Sequence, residues 1–168
     1  MAAATIDRIS AAAGISRRTF FNYFPTKEAA ILGLRPLEAS PESIQELADS
    51  SMDKLTRTVR FLAHLYRTAG IGSTTTKRRR EIIAKSPTLV GDFIQMKMDL
   101  VTYAQPFIQP LCADANNDGA DDARVLVSTA NALLTAEYKR DPSTAFSDSD
   151  EFIRTAISNF RKAMASSL

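Results

Sequence analysis

The sequence predicts an all-α protein, with a small head of short helices followed by a larger helical body. Three observations predict it. Apolar residues recur at three- and four-residue spacing through most of the chain. Strict apolar/polar alternation is nowhere sustained over a useful length. The gaps between apolar stripes fall at Ser, Thr, Gly and Pro positions suited to helix ends.

The first helix is expected over 6–12, between a Thr5 cap and Ala13-Gly14, and the second over 16–23, capped by Ser16 and stopped near Pro25. A third starts at Thr26 and runs to about Gly33. Residues 35–41 (RPLEASP) read as a linker, which divides the chain into a head of 1–35 and a body of 36–168. A short helix follows over 41–50. On 53–69, Leu55, Val59, Leu62, Tyr66 and Ala69 share one side, widened by Phe61 and Leu65. After the loop GIGSTTT, 76–85 reads as a short basic helix. Ser86-Pro87 opens another, whose Leu89, Phe93, Met96, Leu100 and Tyr103 form a stripe, with Pro106 and Pro110 disturbing its end. Residues 113–122 are a polar loop. The last two helices, 123–138 and 149–165, carry the stripes Ala123/Val127/Ala130/Leu134 and Ile153/Ile157/Phe160/Met164.

Composition narrows the function classes. Apolar residues make up 45% and charged residues 24%, values of an ordinary globular protein. The net charge is only +2, but residues 1–35 carry +3 and the rest −1, so a basic head sits on a neutral body. Cys112 is the sole cysteine and excludes an internal disulfide. With one histidine, His64, a zinc site is not credible and no nucleophile motif accompanies it; neither a catalytic site nor a cofactor is expected. No signal pattern opens the chain and no apolar run approaches the ~18 residues of a membrane span, so a cytoplasmic location is expected.

In the head, Phe20 and Phe24 lie one turn apart and can pack on Ile6 and Ile9. That turns Arg17, Arg18, Thr19, Asn22 and Tyr23 outward, a mixture of guanidinium forks, hydroxyls and an amide fit for base edges and phosphates. From spacing alone, an ordinary helical hairpin with a polar surface fits as well. The run TIDRISAAAGISRRTFFNYFPTKEAAIL, residues 5–32, resembles the signature of the TetR family of repressors: a threonine, a short helix, Ala-Gly-Ile-Ser, a recognition helix and a Thr-Lys-Glu start. The resemblance implies that Thr5 caps its helix beside a phosphate. It further implies that Arg17, Arg18 and Thr19 begin the recognition helix in the major groove while Tyr23 and Lys27 hold the backbone. Phe21 stands where the family usually has tyrosine. The family also has a helix ahead of Thr5, for which only four residues are present. The expectation is therefore that Ile6, Ile9, Phe20, Phe24 and Ile31 present an apolar patch to water, the gene start lying upstream or the chain being a shortened form.

The resemblance implies a ligand-responsive repressor that binds a palindromic operator as a homodimer. The alternative is a headless relative whose body binds small molecules or proteins without DNA. Phe61, Leu65, Phe93, Met96, Tyr103 and Phe107 are candidates to line an effector cavity, or they simply fill the core. His64, near Arg57, Arg60 and Arg67, belongs to a solvated cationic face or to a wall for an acidic effector. The run Lys77-Arg78-Arg79-Arg80 resembles a phosphate patch, but far along the chain from the head it reads as a solvated face. Asp114, Asn116, Asp118 and Gly119 match the opening of a calcium loop, but Val125 occupies the place of its bidentate glutamate, so no metal is assigned. Val127, Leu134, Ile153, Ile157, Phe160 and Met164 are the expected dimer seam. Ser128, Ala132 and Thr135 leave room for a close helix, while Phe152, Ala156 and Ala163 widen the apolar face.

Overall fold

The computed structural model describes residues 5–71, 73–141 and 150–166. Among the described residues there are nine helices and no strand: α1 (Ile6–Ala12), α2 (Arg17–Tyr23), α3 (Lys27–Leu32), α4 (Pro41–Leu47), α5 (Lys54–Thr68), α6 (Ser73–Lys85), α7 (Leu89–Cys112), α8 (Ala120–Arg140) and α9 (Asp150–Ala165). The all-α fold is thus observed, with six helices after the linker.

Side-chain caps explain why the N-terminal helices begin where they do. Thr5, Ser16, Thr26, Ser40 and Asp53 each accept a hydrogen bond from the backbone N–H three residues on, satisfying one of the donors a helix start leaves unpaired. The α7 start differs from expectation. Ser86 does not cap it with its side chain; instead its carbonyl accepts from Leu89 N at 3.0 Å in a turn, and the helix begins two residues after Pro87. Nor do Pro106 and Pro110 end α7, which continues to Cys112. Both prolines are exposed and four residues apart, so they share one face. The carbonyls they leave unbonded lie on that solvent side, where water can replace the missing amide.

The core lies where α5, α7, α8 and α9 meet. Val59, Leu62 and Leu65 of α5, Leu100, Ala104 and Ile108 of α7, and Val127, Ala130 and Leu134 of α8 are fully buried there. Within it the Tyr66 hydroxyl hydrogen-bonds the Asn131 side chain, and burial raises its pKa. Glu137, also buried, accepts from Arg140 and from Asn159 Nδ2 at 3.3 Å, which ties α8 to α9. Two ion pairs clamp α5 and its approach to α9: Arg60–Asp150 and Arg161–Asp53, both 2.7 Å.

Leu32 and Leu34, at the end of the head, are buried in this same core. Gly33 between them takes a left-handed conformation that closes α3, and Arg35 N then donates to Ala69 O at 3.1 Å. The chain leaving the head therefore runs against the end of α5. Gly70 makes that approach feasible: it has φ +80°, and a Cβ there would collide with the Gly33 carbonyl oxygen. Gly70→Ala should accordingly cost about 2–4 kcal/mol, combining left-handed strain with overpacking. Urea unfolding measures this; an unchanged midpoint would contradict the close junction.

Arg79 holds the same junction from α6. Its side chain is buried, donates through Nε to Leu32 O at 2.9 Å and through the guanidinium to Gly70 O, and lies 5.5 Å from the centre of the Phe93 ring. The basic run is thus not simply a solvated face. Arg78 and Arg80 are exposed, Arg80 resting 5.3 Å over the Tyr138 ring, and the Lys77 side chain lies outside the described residues.

Candidate nucleic-acid interface

Two seven-residue helices build the candidate surface. Thr5 caps α1 by accepting from Arg8 N at 3.3 Å, and the chain turns through Gly14 into Ser16. Ser16 accepts from Thr19 N at 3.0 Å, and the two hydroxyls bond each other at 2.9 Å. Phe20 is 2% exposed and packs edge-on against Phe21 and at a tilt against Phe24. That single anchored aromatic fixes which side of α2 is left outward.

At about 100° per residue, Arg17, Phe21, Arg18 and Asn22 fall within an arc of about 140°. All four are exposed. Arg17 is held by Asp7 at 2.8 Å in an exposed ion pair, whereas Arg18 has no ion pair among the described residues. Tyr23, 60% exposed, lies outside this arc on the side of the linker. Thr19 is half-buried with its hydroxyl on Ser16, so these two residues fix the helix start more than they extend its outer face. Lys27, in the first turn of α3, is half-exposed with Nζ 3.4 Å from Glu28. The eight candidate residues thus divide into caps (Thr5, Ser16, Thr19), an outer arc (Arg17, Arg18, Asn22) and two flanking groups (Tyr23, Lys27). Sequence reasoning missed Asp7 as a holder of Arg17; its signal was an acidic first-turn residue ahead of the turn.

The chain therefore presents an exposed arginine-bearing helix set across a tight turn on a short supporting helix. Residues 1–32 match the family model described as bacterial regulatory proteins, tetR family. The head is that of a TetR-family regulator. No curated protein and no solved structure matches the chain. With a TetR-type head, the protein is a DNA-binding transcription regulator.

The apolar patch expected on this TetR-type head is reduced. Phe20 is buried, Ile6, Ile9 and Phe24 are half-buried, and Ile31 is exposed. The residues preceding Thr5 lie outside the described ones.

Behind the head, the effector candidates are packed side chains. Phe61 and Leu65 are fully buried; Phe93, Met96, Tyr103 and Phe107 are partly buried against the same core. Phe107 lies 5.2 Å from the Phe61 ring and 5.4 Å from the Tyr103 ring, and the Tyr103 hydroxyl accepts from Ala39 N at 3.2 Å. A cavity of about 390 Å³ opens between α7 and α8, lined by Ile94, Met98 and Val101 on one side and Ser128 and Asn131 on the other, and by none of these six.

The residues of the expected dimer seam differ in their burial. Val127, Leu134, Ile153 and Ile157 are buried against the core of their own chain, and Ile153 and Ile157 also line a cavity of about 440 Å³ beside α5. Phe152 and Ala156 are buried as well. Phe160 is half-exposed and Met164 is 51% exposed, and on α8 Val125, Ser128 and Ala132 are exposed.

In the 113–119 loop, Asp114, Asn117 and Asp118 accept from Asn116 N, Gly119 N and Ala120 N, so the side chains shape the turn before α8. No cluster of metal-ligating side chains occurs among the described residues. No described helix is long and apolar enough to cross a membrane.

Proposed function

We propose that this chain is a cytoplasmic, ligand-responsive repressor that binds a palindromic operator as a homodimer. The observation that carries the DNA reading is the outer arc of α2, where Arg17, Arg18 and Asn22 stand exposed on a TetR-type head. Arginine forks suit guanine edges and phosphates, and an asparagine amide suits adenine. Lys27 lies beside this arc at a helix start, where an ammonium and free backbone amides can hold a phosphate together.

Anisotropy of a labelled duplex across salt concentrations tests this. Lys27→Ala should weaken every sequence alike and reduce the slope of log K against log salt by about one. An unchanged slope would remove Lys27 from the interface, and absence of duplex binding at low salt would refute the reading.

Dimerisation supplies the second head that a short groove helix needs for affinity and for reading an inverted repeat. The outer faces of α8 and α9 are the proposed seam, with Val125, Ser128 and Ala132 on one helix and Phe160, Ala163 and Met164 on the other. Phe160→Glu should convert a species of twice the 18.4 kDa chain mass to monomer in sedimentation. A single monomeric species for the unaltered protein at micromolar concentration would reject the two-headed mechanism. An effector that favours one arrangement of head and body shifts the spacing of the two heads and releases the operator.

A further inference from the structure

We propose that the junction between head and body holds a second kind of site, a pocket for a small carboxylic acid with a flat apolar body. It deepens the effector reading above by naming where an acidic molecule binds and what recognises it.

A cavity of about 630 Å³ opens between the end of α2, the linker and α5. That volume falls in the range of small-molecule sites. Its apolar surface comes from the Tyr23 ring and from Pro36 and Pro41, rigid and flat groups that suit a planar ligand. Its polar surface is rich in donors: the Asn22 amide, the Arg35 guanidinium and His64. Arg35 has no ion pair among the described residues. Glu38 is the one acidic side chain on the described wall.

His64 decides the sign. Arg67 lies 3.1 Å from its Nδ1, and a guanidinium nitrogen can only donate, so Nδ1 accepts. A neutral imidazole accepting at Nδ1 carries its proton at Nε2. Burial, followed by the nearby Arg67, lowers the His64 pKa against the opposing pull of Glu46 and Glu42, which favours this neutral form. Nε2 is buried and has no hydrogen-bond partner, so this cavity-lining ring holds an unmet donor. A ligand carboxylate would bring the acceptor that His64 lacks and the charge that Arg35 lacks.

His64 is the only histidine, so its Cε1–H signal in a ¹H–¹³C spectrum reports on this cavity alone. The full chain is titrated with benzoate, benzamide and benzylamine in the absence of DNA. Benzoate at millimolar concentration should move the signal saturably, with the two uncharged or cationic analogues having far weaker effects. Arg35→Ala, an exposed substitution, should weaken benzoate binding at least about tenfold, whereas Arg161→Ala at the distant α9 should not. No saturable shift with benzoate, equal shifts with benzamide or benzylamine, or undiminished binding by the Arg35→Ala protein would each overturn the proposal. Because no DNA is present, such a failure leaves the operator reading intact.

Discussion

Arg79→Ala should lower the stability of the protein by about 3–5 kcal/mol, because it removes the guanidinium that donates to the Leu32 and Gly70 carbonyls inside the junction. An unmet buried acceptor costs about 1–3 kcal/mol, and the arginine stem and its contact with the Phe93 ring are lost as well. For a chain of this length the melting temperature should fall by on the order of 10 °C. The opposing effect is desolvation of a buried cation, which by itself disfavours the native arrangement and holds the Arg79 pKa down. Arg79→Met separates the two contributions, since it keeps an apolar stem and removes the charge. It should destabilise less than the alanine variant but more than Arg80→Ala, whose parent side chain is exposed. A methionine variant as stable as the unaltered protein would show that the two carbonyl bonds contribute nothing net.

Arg18→Ala should reduce affinity for the preferred operator about 10–100-fold while changing fold stability by less than about 0.5 kcal/mol. A bidentate arginine–guanine contact discriminates by about 1–3 kcal/mol, and Arg18 is exposed with no ion pair to break before it reaches DNA. Arg17 starts from its pair with Asp7. An exposed pair of this kind contributes about 0–1 kcal/mol, so Arg17 can exchange Asp7 for a phosphate or base at little cost. Arg17→Ala should thus also relax base preference, but with a smaller loss than Arg18→Ala. Competition between preferred and scrambled duplexes, run for both variants, measures the difference. Equal specificity ratios in both variants and the parent would mean that another side of α2 faces the groove.

The head was legible in the sequence nearly to the residue because its boundaries are set locally. Thr5, Ser16 and Thr26 each bond the N–H three positions on, and this can be read without knowing what the helix packs against. The body was legible as a set of amphipathic helices, but not as to what each apolar stripe meets. Val127, Leu134, Ile153 and Ile157 have the spacing of a seam, and spacing is the same whether the neighbouring helix belongs to the same chain or another. Arg79 shows the opposite failure. Three flanking cationic residues made it look solvated, while its burial follows from the carbonyls of Gly70, just ahead of α6, and of Leu32, 47 residues away. The α7 prolines were expected to disturb the end of the helix because propensity counts the lost amide bond and cannot see that both lie on the solvent side.

Selection of binding sites from a pool of random duplexes by the full chain tests the central claim most directly. An inverted repeat should be enriched, its half-sites spaced about one helical turn or a multiple of it, and bound at least about a thousandfold more tightly than bulk DNA at physiological salt. Retention of duplexes with no enriched sequence, lost uniformly as salt rises, would contradict it: the α2 arginines would then hold phosphates without reading bases.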